Sequence, residues 1–81
     1  MSIANTYATG DLFLCAFLRA MGHNLKAIRE DRQRSIFVFP DSADLRADIL
    51  RYTNDDPVAL RARNFMNLLR DLRGLARGAT A

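Results

Sequence analysis

The stretch SIFVFPDS, residues 35–42, decides the fold. Its first five residues are rich in β-branched and aromatic side chains, the composition of a strand. Successive strand side chains point to opposite faces, so Ile36 and Val38 share one face and Phe37 and Phe39 the other. Both faces are apolar, and each calls for cover. Helices can take one; the second is left to a partner or to an N-terminal strand. Pro40, Asp41 and Ser42 then stop the strand and open a helix, with Asp41 or Ser42 as its N-cap and Asp44 near its positive end.

Working towards the N-terminus, Leu25, Ala27 and Ile28 predict a short partner strand, and EDRQR (residues 30–34) a charged turn joining the two. That turn contains neither Asn-Gly nor Asp-Gly, so a hairpin loop longer than two residues is expected. Before it, DLFLCAFLRAMG (residues 11–22) is apolar almost all round and broken mainly by Arg19, the pattern of a central buried helix. Thr9 is its expected N-cap, Asp11 suits its first turn, and Gly22 fits the left-handed position that closes a helix. Asn5 to Thr9 forms a candidate first strand.

Towards the C-terminus, Leu45, Ile49 and Tyr52 recur at helical spacing, Leu50 widens that face, and Arg46, Asp48 and Arg51 are expected to point elsewhere. TNDDP (residues 53–57) is punctuation, with Asp56 as N-cap and Pro57 at the first position of a long final helix. At about 100° per residue, Val58, Phe65, Leu68, Leu69, Leu72, Leu75 and Ala76 fall within one arc of roughly 120°. Gly74 weakens this helix locally, Gly78 is its expected end, and residues 79–81 are expected to fray. The order is β-α-β-β-α-α. It predicts one α+β domain over residues 5–78, with three helices on one face of a small antiparallel sheet made of a hairpin and the N-terminal strand.

The chain has 81 residues, 49% hydrophobic and 26% charged, a globular composition for a domain of modest stability. Small domains often gain stability by pairing, so a homodimer is one expected state. The longest apolar run, Leu12 to Leu18, falls far short of the ~20 residues of a membrane span. The opening MSIANTYATGDL lacks the charged and apolar regions of a signal peptide, so a cytoplasmic location is expected.

Charge is unevenly placed. From Pro57 onwards five arginines face only Asp71, whereas the first 56 residues carry seven basic and eight acidic side chains. On the final helix Arg63, Arg70 and Arg77 are spaced by seven, drifting only ~20° per step, and Arg73 lies close beside them. These four make a basic stripe flanking the apolar face. Guanidinium groups bind phosphate oxygens bidentately, so the stripe is a candidate nucleic-acid contact. The competing account is a solvated face whose cations suit the negative end of the helix dipole. Lys26, Arg32 and Arg34 on the hairpin are secondary candidates, since a two-stranded ribbon can enter a groove.

Other polar residues read as structural. Arg61 falls on the apolar side of the final helix and is expected to pair with Asp44 or Asp48. His23 is placed to bond the last carbonyls of the buried helix. Asp55 and Asp56 read as a turn and a cap. The lone cysteine, Cys15, reads as a small buried hydrophobe about two helical turns from the only histidine. No metal set, cofactor motif, phosphate loop or nucleophile elbow is visible, and nothing in the chain proposes an enzyme.

TGDLFLCAFLRAMGHNL (residues 9–25) followed by FVFPDSADLRADILRYTNDDPVALRARNFMNLLRDLRGL (residues 37–75) resembles a family of short bacterial and phage-associated domains of unknown function. The markers are the capped helix TGDLFLCAFL, the Gly-His turn, the F-x-F-P-D-S strand end and the R-x-R-x-F start of the last helix. The resemblance implies no activity, cofactor or functional residue; it suggests a bacterial or mobile-element setting. Two functional classes remain open. One is a small non-enzymatic module that binds DNA or RNA through its basic final helix. The other is an accessory that docks on a protein partner, as an adaptor or inhibitor, through an apolar patch rimmed by arginine.

Overall fold

A computed structural model of the chain describes residues 5–80, with side chains described to residue 76. Its elements are β1 (Thr6–Thr9), α1 (Leu12–Ala20), β2 (Ala27–Asp31), β3 (Arg34–Pro40), α2 (Ala43–Thr53) and α3 (Ala62–Thr80). The predicted α+β order β-α-β-β-α-α is the observed one.

β3 is the centre of an antiparallel sheet of order β1-β3-β2. Tyr7 pairs with Phe39 and Thr9 with Phe37 on one side, and Ile28 pairs with Phe37 on the other. Those residues share the face that meets the helices, and Phe37 and Phe39 are fully buried there. The opposite face carries Ala8, Val38 and Ala27 in one cross-strand row. β1 therefore lies beside β3 and does not cover the Val38 face. Its side chains are too few and small for a second layer, whereas its backbone completes the ladder of β3.

The hairpin corrects the expected long loop. Asp31 pairs directly with Arg34, leaving a two-residue loop. Arg32 (φ 53°) and Gln33 (φ 69°) both occupy the left-handed region, the pattern of a type I′ turn. Each such residue costs on the order of 1 kcal/mol without glycine. The register outweighs that cost, because slipping by one residue would turn Ile28 and Phe37 away from the core. β2 thus extends through Glu30 and Asp31, residues expected in the turn, and their charges face water along an edge strand.

Helix ends follow local chemistry, with the caps reassigned. Asp11, not Thr9, caps α1: its Oδ1 accepts from the backbone N–H groups of Phe13 (3.0 Å) and Leu14 (3.1 Å). Thr9 sits too early to reach them and accepts instead from the N–H of Asp11. Gly22 (φ 101°) closes α1 as expected, with its N–H donating to Arg19 and that of His23 to Leu18. Ser42 caps α2 by accepting from the Leu45 N–H, while Asp41 takes a bidentate pair with Arg46 at 2.9 and 2.8 Å. That pair draws the Asp41 carboxyl below its usual range, chiefly through the Arg46 hydrogen bonds. The same guanidinium lies 5.2 Å from the Tyr7 ring centre.

The start of α3 is the largest departure. Asp55 (φ 56°) and Asp56 close α2, their N–H groups donating to the carbonyls of Tyr52 and Arg51. Asp56 and Pro57 therefore do not begin a helix. Val58 and Leu60 are half-buried while Pro57, Ala59 and Arg61 are exposed. This alternation packs both apolar residues on the core, which a helix from residue 57 would not do. α3 begins at Ala62 and continues through Gly74 and Gly78 to Thr80, past its expected end. Ala81, part of the expected frayed tail, lies outside the described residues.

Leu14, Cys15, Leu18, Phe37, Phe39, Leu45, Leu69 and Leu72 form the core, and Phe17 sets its ring 5.3 Å from that of Tyr52. Leu50 and Leu75, both assigned to apolar faces, are more than half exposed. Burial pushes the Cys15 thiol up to about 12. In the folded protein Cys15 is therefore expected to resist iodoacetamide at pH 8 and to react fully in denaturant, as mass spectrometry would show. Rapid labelling of native protein would contradict this packing.

Candidate nucleic-acid interface

α3 separates its charges around its axis. Phe65, Leu69 and Leu72 turn inwards. At ~100° per residue, Arg63 and Arg70 stand on the side opposite Leu72, and Arg73 sits at the margin of the buried face. Asp71, the one acid on α3, lies on the other flank with Leu68 and Leu75, along a groove completed by Arg19, Asn24 and Leu25. Arg63, Arg70 and Arg73 are exposed; the side chain of Arg77 lies outside the described residues.

The arginines divide into engaged and unengaged sets. Arg46 holds Asp41, Arg51 holds Asp48, and Arg19 donates to the His23 carbonyl (3.2 Å) and the Asn24 side chain (3.1 Å). Among the described residues, no carboxylate pairs with Arg34, Arg63, Arg70 or Arg73. The structure brings some of the predicted residues together. Arg70 and Arg73 share a shallow groove with Met66, which is 54% exposed. Arg73 also borders a second groove with Arg34 from the start of β3. Lys26, at the entrance to β2, and Arg32, at the hairpin tip, are exposed and line neither groove.

A second polar concentration joins α2 to the end of α1. Asp48, expected to point outwards, is only 6% exposed. Its Oδ2 lies 2.6 Å from His23 Nε2, and its Oδ1 accepts from Arg51. His23 thus pairs through its ring with a carboxylate and leaves the α1 carbonyls to the backbone. Arg61 precedes α3 and is exposed, and Asp48, one of its two expected partners, is engaged by His23 and Arg51. The missed signal was Asp48 three residues after Leu45, on the buried side of α2. Among the described residues, no group of three His, Cys, Asp or Glu could hold a metal ion, and no helix is long and apolar enough to cross a membrane.

Comparison with known proteins finds no match among curated proteins or solved structures. A family model does match, over residues 4–78, a span that holds all three strands, both shorter helices and nearly all of α3. The resemblance carried by the capped first helix and the Phe-x-Phe-Pro-Asp-Ser strand end is thereby made definite: the chain belongs to the family described as a domain of unknown function (DUF5659).

Proposed function

We propose that this domain is a non-enzymatic binding module that holds nucleic acid through the arginines of α3. Arg63, Arg70 and Arg73 are the primary contacts, Arg77 continues the stripe, and Arg34, Arg32 and Lys26 add to it from the hairpin. The observation that carries this reading is the division of the arginines. Arg46 and Arg51 are paired with carboxylates and Arg19 with a carbonyl and an amide oxygen, while Arg63, Arg70 and Arg73 stand exposed on one helix with no acidic partner among the described residues. Unpaired guanidiniums on a rigid helix are suited to phosphate oxygens, and their binding releases counterions from the backbone.

Fluorescence anisotropy with labelled single- and double-stranded DNA and RNA tests this. Three phosphate contacts on duplex DNA predict a roughly 40-fold loss of affinity between ~50 and ~200 mM salt. Reversing charge at Arg70 and Arg73 together (Arg70→Glu, Arg73→Glu) is expected to abolish binding and leave the circular dichroism spectrum unchanged. Absence of binding even at low salt would discard the phosphate reading. Exposed Met66 beside Arg70 and Arg73 favours the second reading, an apolar patch rimmed by arginine that docks on a protein, as a homodimer or with another chain. That reading predicts self-association in sedimentation across a concentration range, or recovery of a stoichiometric protein after nuclease treatment.

A further inference from the structure

Residues 57–61 join α2 to α3 with the alternation of a strand, yet they pair with no strand. Val58 and Leu60 pack towards the core, while Pro57, Ala59 and Arg61 are exposed. Among the described residues, no backbone N–H or C=O of Val58, Ala59 or Leu60 makes a hydrogen bond. A strand-like stretch whose peptide groups are unpaired is a template for pairing with another chain.

The charges at its two ends are opposite. Asp55 and Asp56 precede it and Arg61 and Arg63 close it; all four are exposed, and none forms an ion pair among the described residues. Arg61 is the arginine expected to meet Asp44 or Asp48, and it meets neither. Two acids, an apolar centre and two bases form a pattern that complements itself when a second copy runs antiparallel. A parallel copy would set like charges together, which is destabilising. Asp55 and Asp56 also border a groove with Tyr52, Val58, Leu60 and Phe65, so the acidic end offers apolar surface to the stem of an arginine.

We propose that residues 57–61 are the contact through which two copies of this domain pair, about a two-fold axis at Ala59. In that register Val58 faces the partner's Leu60 and Leu60 the partner's Val58, and the two pairs exchange four ladder hydrogen bonds. Pro57, which has no N–H, is not required to donate. Ala59 meets the partner's Ala59 at the close, non-hydrogen-bonded spacing, which a methyl side chain permits. Each Arg61 then lies towards the acidic end of the other copy. Arg70 and Arg73 take no part, so the pairing stands or falls apart from the nucleic-acid reading.

Sedimentation of the wild type across a concentration range is expected to show a reversible dimer that weakens as salt rises. Arg61→Glu and Asp56→Arg are each expected to raise the dimer dissociation constant roughly tenfold, with the circular dichroism spectrum unchanged. Mixing the two variants is expected to restore the wild-type constant, because each chain then offers the charge that the other lacks. Arg70→Glu/Arg73→Glu is the control and should dimerise as wild type. A wild type that stays monomeric up to ~1 mM would overturn the proposal and leave the segment to a strand of another protein. A dimer that survives both single reversals and is dissolved by Arg70→Glu/Arg73→Glu would place the contact on the Met66 patch, and would overturn it equally.

Discussion

Phe39→Ala is expected to cost about 3–5 kcal/mol, enough to leave a substantial unfolded population. Phe39 is fully buried at the middle of β3, opposite Tyr7, in the cluster formed by α1, α2 and α3. Truncation removes the transfer energy of a phenyl ring and leaves a cavity between sheet and helices that their backbones cannot close. A domain of 81 residues has on the order of 4–12 kcal/mol in total, so this one change consumes a large share. Urea unfolding followed by circular dichroism should show a much lower midpoint with an unchanged slope. Phe13, half exposed on α1, is the control, and Phe13→Ala should stay within about 0.5 kcal/mol of wild type. Equal losses in the two variants would contradict the packing of β3 against the helices.

Asp48→Ala is expected to cost about 2–3 kcal/mol, unusual for an acid on a helix. The carboxylate accepts from Arg51 and meets His23 at 2.6 Å, with a side chain only 8% exposed. Its removal leaves the His23 ring, itself 17% exposed, without its partner. Arg51 is half exposed and can turn to water, which keeps the loss below that of a fully buried ion pair. Asp48→Asn, which retains the shape and one acceptor, should lose less than the alanine variant. A double-mutant cycle of His23→Ala with Asp48→Ala measures the coupling directly. Additive losses would mean that the contact contributes nothing to stability.

The comparison of Asp44 with Asp48 illustrates what was legible. Asp44 was placed correctly in the first turn of α2, because helix caps depend on neighbours within three or four residues. Asp48 is buried against the outward expectation, because its burial depends on His23, 25 residues away in the chain. The candidate site divides likewise. The periodicity of Arg63 and Arg70 is local, so their common helix face was readable. That residues of β3 and α3 border one groove required the packing of α3 on the sheet.

The order of elements, the two faces of β3, the closure of α1 at Gly22 and the basic character of α3 are all legible in the residues alone. Each follows from alternation, helical spacing or a cap, and these are set by residues a few positions apart. Packing between distant segments sets the rest: β1 lies beside β3, the hairpin turns on Arg32 and Gln33 without glycine, residues 57–61 stay out of α3, and Asp48 is buried. In each case a contact between distant segments outweighs a local preference: strand register overrides turn propensity, and the burial of Val58 and Leu60 overrides an Asp-Pro helix start.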